Sequence, residues 1–165
     1  MKRILFICAM IAAIPASARI ASAQNLGIAI GKRAPSAMTQ DLNGKPVNLG
    51  SYVGKGPMLV EFWATWCSSC MKLEPSLVAA HKKYGKRMNF LSVAVSANQS
   101  LQRVRMHAAR HGLKHQVLYD NTGDAIEAYE VPATSYIVVI DKLGKVVYTG
   151  MGGDQNLEAA IKRAL

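Results

Sequence analysis

The sequence lacks a hydrophobic run long enough to cross a membrane as a helix. A spanning helix needs about 20 apolar residues, whereas the longest apolar run, Ile4 to Ile14, has 11. Internal repeats and low-complexity tracts are also absent, and half of the residues are hydrophobic, which excludes a disordered chain. The 165 residues are enough for one domain with a sizeable core and too few for two ordinary ones.

The N-terminal residues differ in kind from the rest of the chain. Two basic residues precede the apolar run, Pro15 ends it, and small-residue patterns follow that end at Ala18 and Ala23. This layout is typical of a secretory signal peptide. We predict a signal peptide over residues 1–23, with cleavage after Ala23, or after Ala18 as the second choice. An uncleaved membrane anchor is the alternative.

Cysteine is scarce, and this scarcity excludes most cysteine-based sites. Cys8 lies in the predicted signal peptide, which leaves Cys67 and Cys70 as a Cys-x-x-Cys pair. Structural zinc normally takes four ligands, and covalent haem attachment needs a histidine directly after the second cysteine, where this chain has Met71. A redox pair remains, and we expect no cofactor.

The histidines do not supply a matching metal site. The spacing predicts that Gly112 ends a helix before the last histidine can join the face of the two before it, so we expect no metal. The four histidines of the chain are His81, His107, His111 and His115.

Acidic residues are few, and the formal net charge is +10. Removal of residues 1–23 leaves 17 basic against 10 acidic residues, a net charge near +7. The basic residues are scattered without interleaved aromatic residues, as on solvated helix faces, so we expect no nucleic-acid partner.

The remaining sequence predicts one α/β domain over residues 38–165, after a linker at 24–37. Asn43-Gly44 predicts the turn of a hairpin at 38–49. A β-α-β order, then a β-hairpin and a last helix, predicts a mixed sheet with helices on both faces. Strands are expected at 58–62, 90–96, 116–119, 135–140 and 145–149, and helices at 67–84, 100–111, 124–129 and 156–165.

The predicted position of the cysteine pair gives each sulfur a role. A helix N-terminus has free N–H groups and a positive dipole end, which favour a thiolate. Cys67 is therefore the expected nucleophile, and Cys70, one turn later, the expected resolving cysteine. Glu61 is a charge within an apolar strand. Burial would raise its pKa and suit it to exchange a proton with Cys70 through a water molecule, although a half-exposed edge position is the alternative.

The motif Trp63-Ala64-Thr65-Trp66-Cys67-x-x-Cys70, with Pro75 five residues later, resembles the thioredoxin active site. Residues 30–165 further resemble the TlpA-like periplasmic thioredoxins, with an N-terminal β-hairpin and a central strand-helix insert reaching Tyr129. The resemblance implies a thioredoxin fold, a periplasmic location and thiol–disulfide exchange with protein partners. It favours a reductant that draws electrons from a membrane thiol transporter over an oxidant. It leaves the oligomeric state open.

The same resemblance assigns site residues. It places Trp66, Val131 and Pro132 at the substrate-binding surface, with Pro132 in the cis form and the Val131 backbone pairing with an extended peptide. It also matches Glu61 to the buried acid of the fold. The lysine that pairs with this acid in cytosolic thioredoxins has no counterpart in residues 92–96, which predicts stronger desolvation of a buried Glu61.

Two other functions remain open on the sequence. Thiol peroxidases share the fold, although they usually carry a proline and a threonine ahead of the reactive cysteine, and here only Thr65 is present. A copper carrier would use Cys67, Cys70 and a histidine or methionine. Related copper carriers, however, space their cysteines one residue wider.

Overall fold

A computed structural model gives the fold of residues 27–165. The predicted signal peptide lies outside these described residues. The described part contains one seven-stranded sheet and helices on both of its faces. In chain order the elements are β1 (Met38–Asp41), β2 (Pro46–Asn48), β3 (Met58–Trp63), α1 (Ser68–Tyr84), β4 (Asn89–Val95), α2 (Leu101–His111), β5 (Gln116–Asp120), α3 (Asp124–Ala128), β6 (Tyr136–Ile140), β7 (Val146–Met151) and α4 (Leu157–Lys162).

The sheet has the order β2-β1-β5-β4-β3-β6-β7. The neighbours β3, β4 and β5 run parallel, since a helix crosses over between each pair and returns the chain to the same edge. The outer pairings, β1 with β2 and β5, and β6 with β3 and β7, are antiparallel. The predicted mixed α/β sheet of the thioredoxin fold is thus confirmed.

Strand β3 lies near the middle of the sheet and is buried along its whole length. Its side chains alternate between the faces, as the period of a strand requires. Val60 and Phe62 pack with Tyr129 after α3, whereas Leu59 packs against α1 and α4. Glu61 alternates with Val60 and Phe62, so its side chain lies on the same face as α1.

Helix α1 is fixed to this face by the predicted apolar stripe. Leu73, Leu77, Ala80 and Tyr84 are all buried, and the two leucines pack with Leu59. Burial of a large apolar side chain contributes about 1.5–3 kcal/mol. This packing holds the N-terminal end of α1, and therefore the cysteine pair, at the end of β3.

The folded part begins earlier than predicted. Residues 27–37 are irregular, as expected of a linker. Ile28, Ala34 and Ala37 are nevertheless buried, in the core that contains Val60 and Phe62. Gly31 N–H also donates a hydrogen bond to the Val146 carbonyl (2.8 Å). Apolar side chains and backbone pairing with β7 make this stretch part of the domain.

The predicted hairpin is present, although its turn is built differently. Only Gly44 takes a positive φ (84°), and Asn43 does not. The turn is closed by a hydrogen bond from Gly44 N–H to the Asp41 carbonyl (3.0 Å) and by the Asp41 carboxylate, which accepts from the N–H groups of Asn43 and Lys45. The turn is therefore stabilised by the Asp41 side chain, and not by an Asn43 with a positive φ.

The expected cis form of Pro132 is wrong. Residues 27–165 contain no cis peptide bond, so the Val131–Pro132 bond is trans. The chain changes direction around it through Glu130 (φ 51°) and Ser135 (φ 63°), both in the left-handed region.

None of the helices in residues 27–165 is both long and apolar enough to cross a bilayer.

Candidate active site

Cys67 lies at the junction of β3 and α1. It is the N-cap of α1, with extended backbone angles, and its Sγ accepts a hydrogen bond from Cys70 N–H (3.1 Å). The Cys67 and Cys70 Cα atoms are 5.3 Å apart, within the usual range for a disulfide, and the two sulfurs are bonded. Both cysteines are buried, at 6% and 4% exposure.

The turn that carries Cys67 is held by the loop between β4 and α2. Thr65 N–H donates to Gln99 Oε1 (2.9 Å), and Trp66 Nε1–H donates to the Ala97 carbonyl (2.8 Å). These bonds join a local motif to a segment more than 30 residues later. They fix the position of Cys67 relative to the sheet.

Glu61 is buried at 5% exposure, on the sheet face that α1 covers. Its Oε2 accepts a hydrogen bond from Ser92 Oγ (2.7 Å) on the neighbouring strand β4. Burial raises the pKa of Glu61 to about 7, the Ser92 hydrogen bond opposes the rise, and the charge of Glu74 adds to it. The side chain can therefore take up or release a proton near neutral pH.

Ser92 also contacts His115, which sequence reasoning left without a role. Ser92 Oγ and His115 Nε2 are 2.8 Å apart, and His115 is buried at 8% exposure. As predicted, Gly112 ends α2 in the left-handed region (φ 61°), and His115 lies beyond that end. Burial lowers the pKa of His115 to about 4, so its ring is neutral at pH 7.

The hydrogen-bond chain has two consistent proton arrangements. A serine hydroxyl donates only one hydrogen bond. When Glu61 is ionised, the Ser92 hydroxyl donates to it and accepts from His115 Nε2–H. The buried His115 Nδ1 then carries no hydrogen, which fits its lack of a hydrogen-bond partner. When Glu61 is protonated, it can donate to Ser92, which then donates to His115. This second arrangement puts the His115 proton on Nδ1, which has no acceptor, so the hydrogen-bond chain favours the ionised form of Glu61.

A small cavity of about 10 Å³, partly open to solvent, brings these groups together with Cys70. Its walls include Glu61, Cys70, Glu74, His107 and His115. A cavity of this size has room for about one water molecule, and its polar walls offer that molecule several partners. One water can therefore link Cys70 to Glu61.

We expect Ser92→Ala to destabilise the protein by about 1–3 kcal/mol, because it removes the partner of two buried polar groups. The loss should be larger at pH 8 than at pH 5, because Ser92 hydrogen bonds to the charged form of Glu61. Urea unfolding of the oxidised protein at the two pH values measures this. Ser96→Ala, just after the same strand, is the matched control, and an equal loss at both pH values would contradict the assignment.

An open groove of about 400 Å³ reaches the residue before Cys67. It brings together Trp66, which is 47% exposed, and the loop before β6. Pro132 is exposed in this loop. Two of the three predicted substrate-binding residues thus line one surface, and the third lies between its lining residues. The lining residues are Trp66, Val95, Ala97, Ile126, Val131, Ala133 and Thr134.

The groups in residues 27–165 that could hold a metal ion are Glu74, His107 and His111, whose ligand atoms lie within 4.8 Å of one another. The sequence showed the two histidines at a spacing of four but gave no sign of Glu74, which lies on another helix.

Comparison with known proteins places the chain in one family. The profile of the Redoxin family matches residues 29–165. The thiol-disulfide oxidoreductase ResA of Bacillus thuringiensis subsp. konkukian (strain 97-27) is 35% identical over 129 residues, which cover 78% of this chain and 73% of the relative. ResA of Geobacillus kaustophilus (strain HTA426) is 30% identical over 137 residues, covering 82% of this chain and 78% of the relative.

Solved structures share the fold. A thiol:disulfide interchange protein of the thioredoxin family from Chlorobium tepidum TLS is 27% identical with a TM-score of 0.70, and the match covers 83% of this chain and 98% of that one. A thiol:disulfide interchange protein from Bacteroides sp. has the same TM-score at 24% identity, covering 83% and 91%.

Proposed function

We propose that this chain, which belongs to the Redoxin family and is a thiol–disulfide oxidoreductase, is exported and reduces disulfide bonds in other proteins. The observation that carries the proposal is the small cavity that Cys70 shares with the buried Glu61. It supports a resolving step in which Cys70 loses its proton inside the protein.

The first step is attack by Cys67. In the reduced protein its thiolate, at the N-terminus of α1, attacks one sulfur of a partner disulfide and forms a mixed disulfide, while the other partner sulfur leaves as a thiolate. The free N–H groups of the first helical turn stabilise the attacking thiolate. Cys70 N–H already points at Cys67 Sγ in the oxidised state.

The second step is resolution by Cys70. Ionised Glu61 takes the Cys70 proton through one water molecule, and the Cys70 thiolate attacks Cys67 Sγ. The Cys67–Cys70 disulfide forms, and the partner is released with its second thiolate. A base with a pKa of about 7 suits this task near neutral pH.

The surroundings of the pair support the reducing direction. A thiol pair is a strong oxidant when its reduced form is stabilised. In the described part of the chain, Cys67 Sγ accepts a hydrogen bond only from Cys70 N–H, and the exposed Ser68 and Ser69 donate none to it. The carboxyl groups of Glu61 and Glu74 share a cavity with Cys70 and disfavour its thiolate. Apart from the N–H groups at the start of α1, the described residues therefore add little that stabilises the reduced state.

Equilibration with glutathione tests the direction. The reduction potential of the cysteine pair is about −270 mV in thioredoxin, which is a reductant, and about −120 mV in a protein that oxidises thiols strongly. We expect the reduction potential of the Cys67–Cys70 pair to be close to that of thioredoxin. A potential above about −150 mV would show that the reduced form is stabilised and that the chain accepts electrons from its partners.

The groove beside Trp66 is the proposed binding surface for the partner protein. We expect Trp66→Ala to raise the KM for a protein disulfide by about tenfold, because an exposed aromatic anchor is lost. The rate with a small disulfide that does not reach the groove should change less than about threefold. Met151→Ala, which removes another exposed apolar side chain, is the control. An equal loss with both substrates would assign Trp66 to the turn instead of the groove.

Export and recycling complete the proposal. The residues of the predicted signal peptide support export to the periplasm, and mass spectrometry of the exported protein should find Gln24 at its N-terminus. Each reducing turnover leaves the Cys67–Cys70 disulfide, so a donor of two electrons must restore the dithiol, and we propose a membrane thiol transporter. A mixed disulfide between a membrane protein and the Cys70→Ser variant would support this partner.

A further inference from the structure

We infer that Glu74, His107 and His111 form a binding site for a divalent transition-metal ion, with Zn²⁺ as the expected occupant. Glu74 lies on α1, and the two histidines lie four residues apart on α2. Residues at this spacing share one face of a helix. Here that face is turned toward α1, so three ligand side chains from two helices meet at one point.

The distances fit a metal ion. Glu74 Oε1 lies 2.7 Å from His111 Nδ1, and Glu74 Oε2 lies 3.3 Å from His107 Nε2. Zinc bonds to nitrogen and oxygen of about 2.0–2.2 Å put neighbouring tetrahedral ligands about 3.3–3.5 Å apart. The Glu74–His107 contact already has this length. The planes of the two imidazoles are only 16° from parallel, so at least one ring must turn before both lone pairs point at one ion.

The ligand rings are held in place by their neighbours. The two imidazoles stack with their centroids 3.9 Å apart, and the ring of His107 lies 5.0 Å from the ring of Trp63. Their side chains are 11% and 31% exposed, and that of Glu74 is 22% exposed. An ion can therefore reach the site, and the partial burial of all three side chains limits the freedom that they lose on binding.

The donor set selects the kind of metal. Imidazole nitrogens with one carboxylate suit zinc and its neighbours in the transition series better than calcium or magnesium, which prefer oxygen ligands. Three protein ligands leave at least one position open to water or another ligand. This site differs from a copper carrier built on the cysteines, because it uses neither sulfur.

The site lies at the wall of the redox cavity. Glu74 is one helical turn after Cys70, and Glu74 and His107 both line the cavity that Cys70 and Glu61 line. In the metal-free protein the carboxylate accepts hydrogen bonds from the two imidazoles, which holds the same three side chains together.

Calorimetric titration of the oxidised protein with Zn²⁺ tests the inference. The disulfide keeps Cys67 and Cys70 from binding the metal, Cys8 is alkylated, and the protein carries no histidine tag. We expect one ion per chain, and at least about tenfold weaker binding in both His111→Ala and Glu74→Gln. His81→Gln, which removes a histidine outside the cluster, should bind like the wild type.

Two results would overturn the inference. One is no binding by the wild-type protein at about 1 mM Zn²⁺, and the other is equal affinity in the wild type and both ligand variants. Circular dichroism shows whether each variant is folded, and because His111 is the most exposed ligand, its variant stays informative if Glu74→Gln unfolds. A Zn²⁺-dependent rise in Tm of the wild type that His111→Ala lacks would support the site independently.

Discussion

Replacement of Cys67 by serine is expected to abolish disulfide exchange. The thiolate is the nucleophile in this chemistry, and residues 27–165 contain no cysteine besides Cys67 and Cys70. Removing a catalytic nucleophile costs several orders of magnitude, so the rate should fall at least about 1,000-fold, to that of the reductant alone. Reduction of a fluorescent protein disulfide by dithiothreitol, with and without the enzyme, measures this.

Cys70→Ser should fail at a different step. Cys67 can still attack, but nothing resolves the mixed disulfide, so a covalent complex should accumulate and disappear on reduction. Cys8→Ser is the matched control, because Cys8 lies in the predicted signal peptide, and it should leave both steps unchanged. Normal turnover by Cys70→Ser would contradict the two-cysteine mechanism.

The parts of the site that the sequence predicted are those encoded locally. The run from Val60 through Cys70 combines an apolar strand, a turn and a helix start within 11 residues. The stripe from Leu73 to Tyr84 fixes which face of that helix is buried. Neighbouring residues determine these features, so the sequence alone locates the strand, the helix and the cysteine pair.

The parts that were missed depend on how distant elements meet. Ser92 and His115 are 23 residues apart and meet because β4 and β5 are neighbours in the sheet. Glu74 is 33 and 37 residues from His107 and His111, and α1 and α2 bring them together. Spacing along the chain carries no record of such contacts. The absent lysine pointed to residues 92–96, but not to a serine that takes its place beside Glu61.

Glu61→Gln is expected to change how stability depends on pH. The ordinary pKa of this carboxyl is 4.5, and burial raises it to about 7 in the folded protein. Between these values the folded state binds more protons than the unfolded state, so stability falls as pH rises. Each pKa unit corresponds to 1.36 kcal/mol, so the free energy of unfolding of the wild type should fall by about 3 kcal/mol as pH rises through this range. Glutamine cannot ionise, so the variant should not show this loss.

Urea unfolding of the oxidised proteins from pH 4.5 to pH 8 measures this difference. His115, whose folded pKa is lowered to about 4, makes both proteins more stable as pH rises to about 6.5, and this contribution cancels in the comparison. A constant difference between variant and wild type would mean that Glu61 keeps an ordinary pKa.

The same substitution should slow the resolving step. Loss of a general base costs about 100-fold or more, so at pH 8 the mixed disulfide of Glu61→Gln should decay about 100-fold more slowly than that of the wild type. In the wild type this rate should fall as pH drops through about 7, where Glu61 becomes protonated, and the variant should lack that dependence on Glu61.

Attack by Cys67 should change little in the Glu61→Gln variant, since this step precedes the proton transfer. Stopped-flow measurement of both steps separates them, and Glu127→Gln, at an exposed glutamate, is the control. If Glu61→Gln resolved the mixed disulfide at the wild-type rate while its stability changed as expected, Glu61 would be a buried acid without a part in proton transfer.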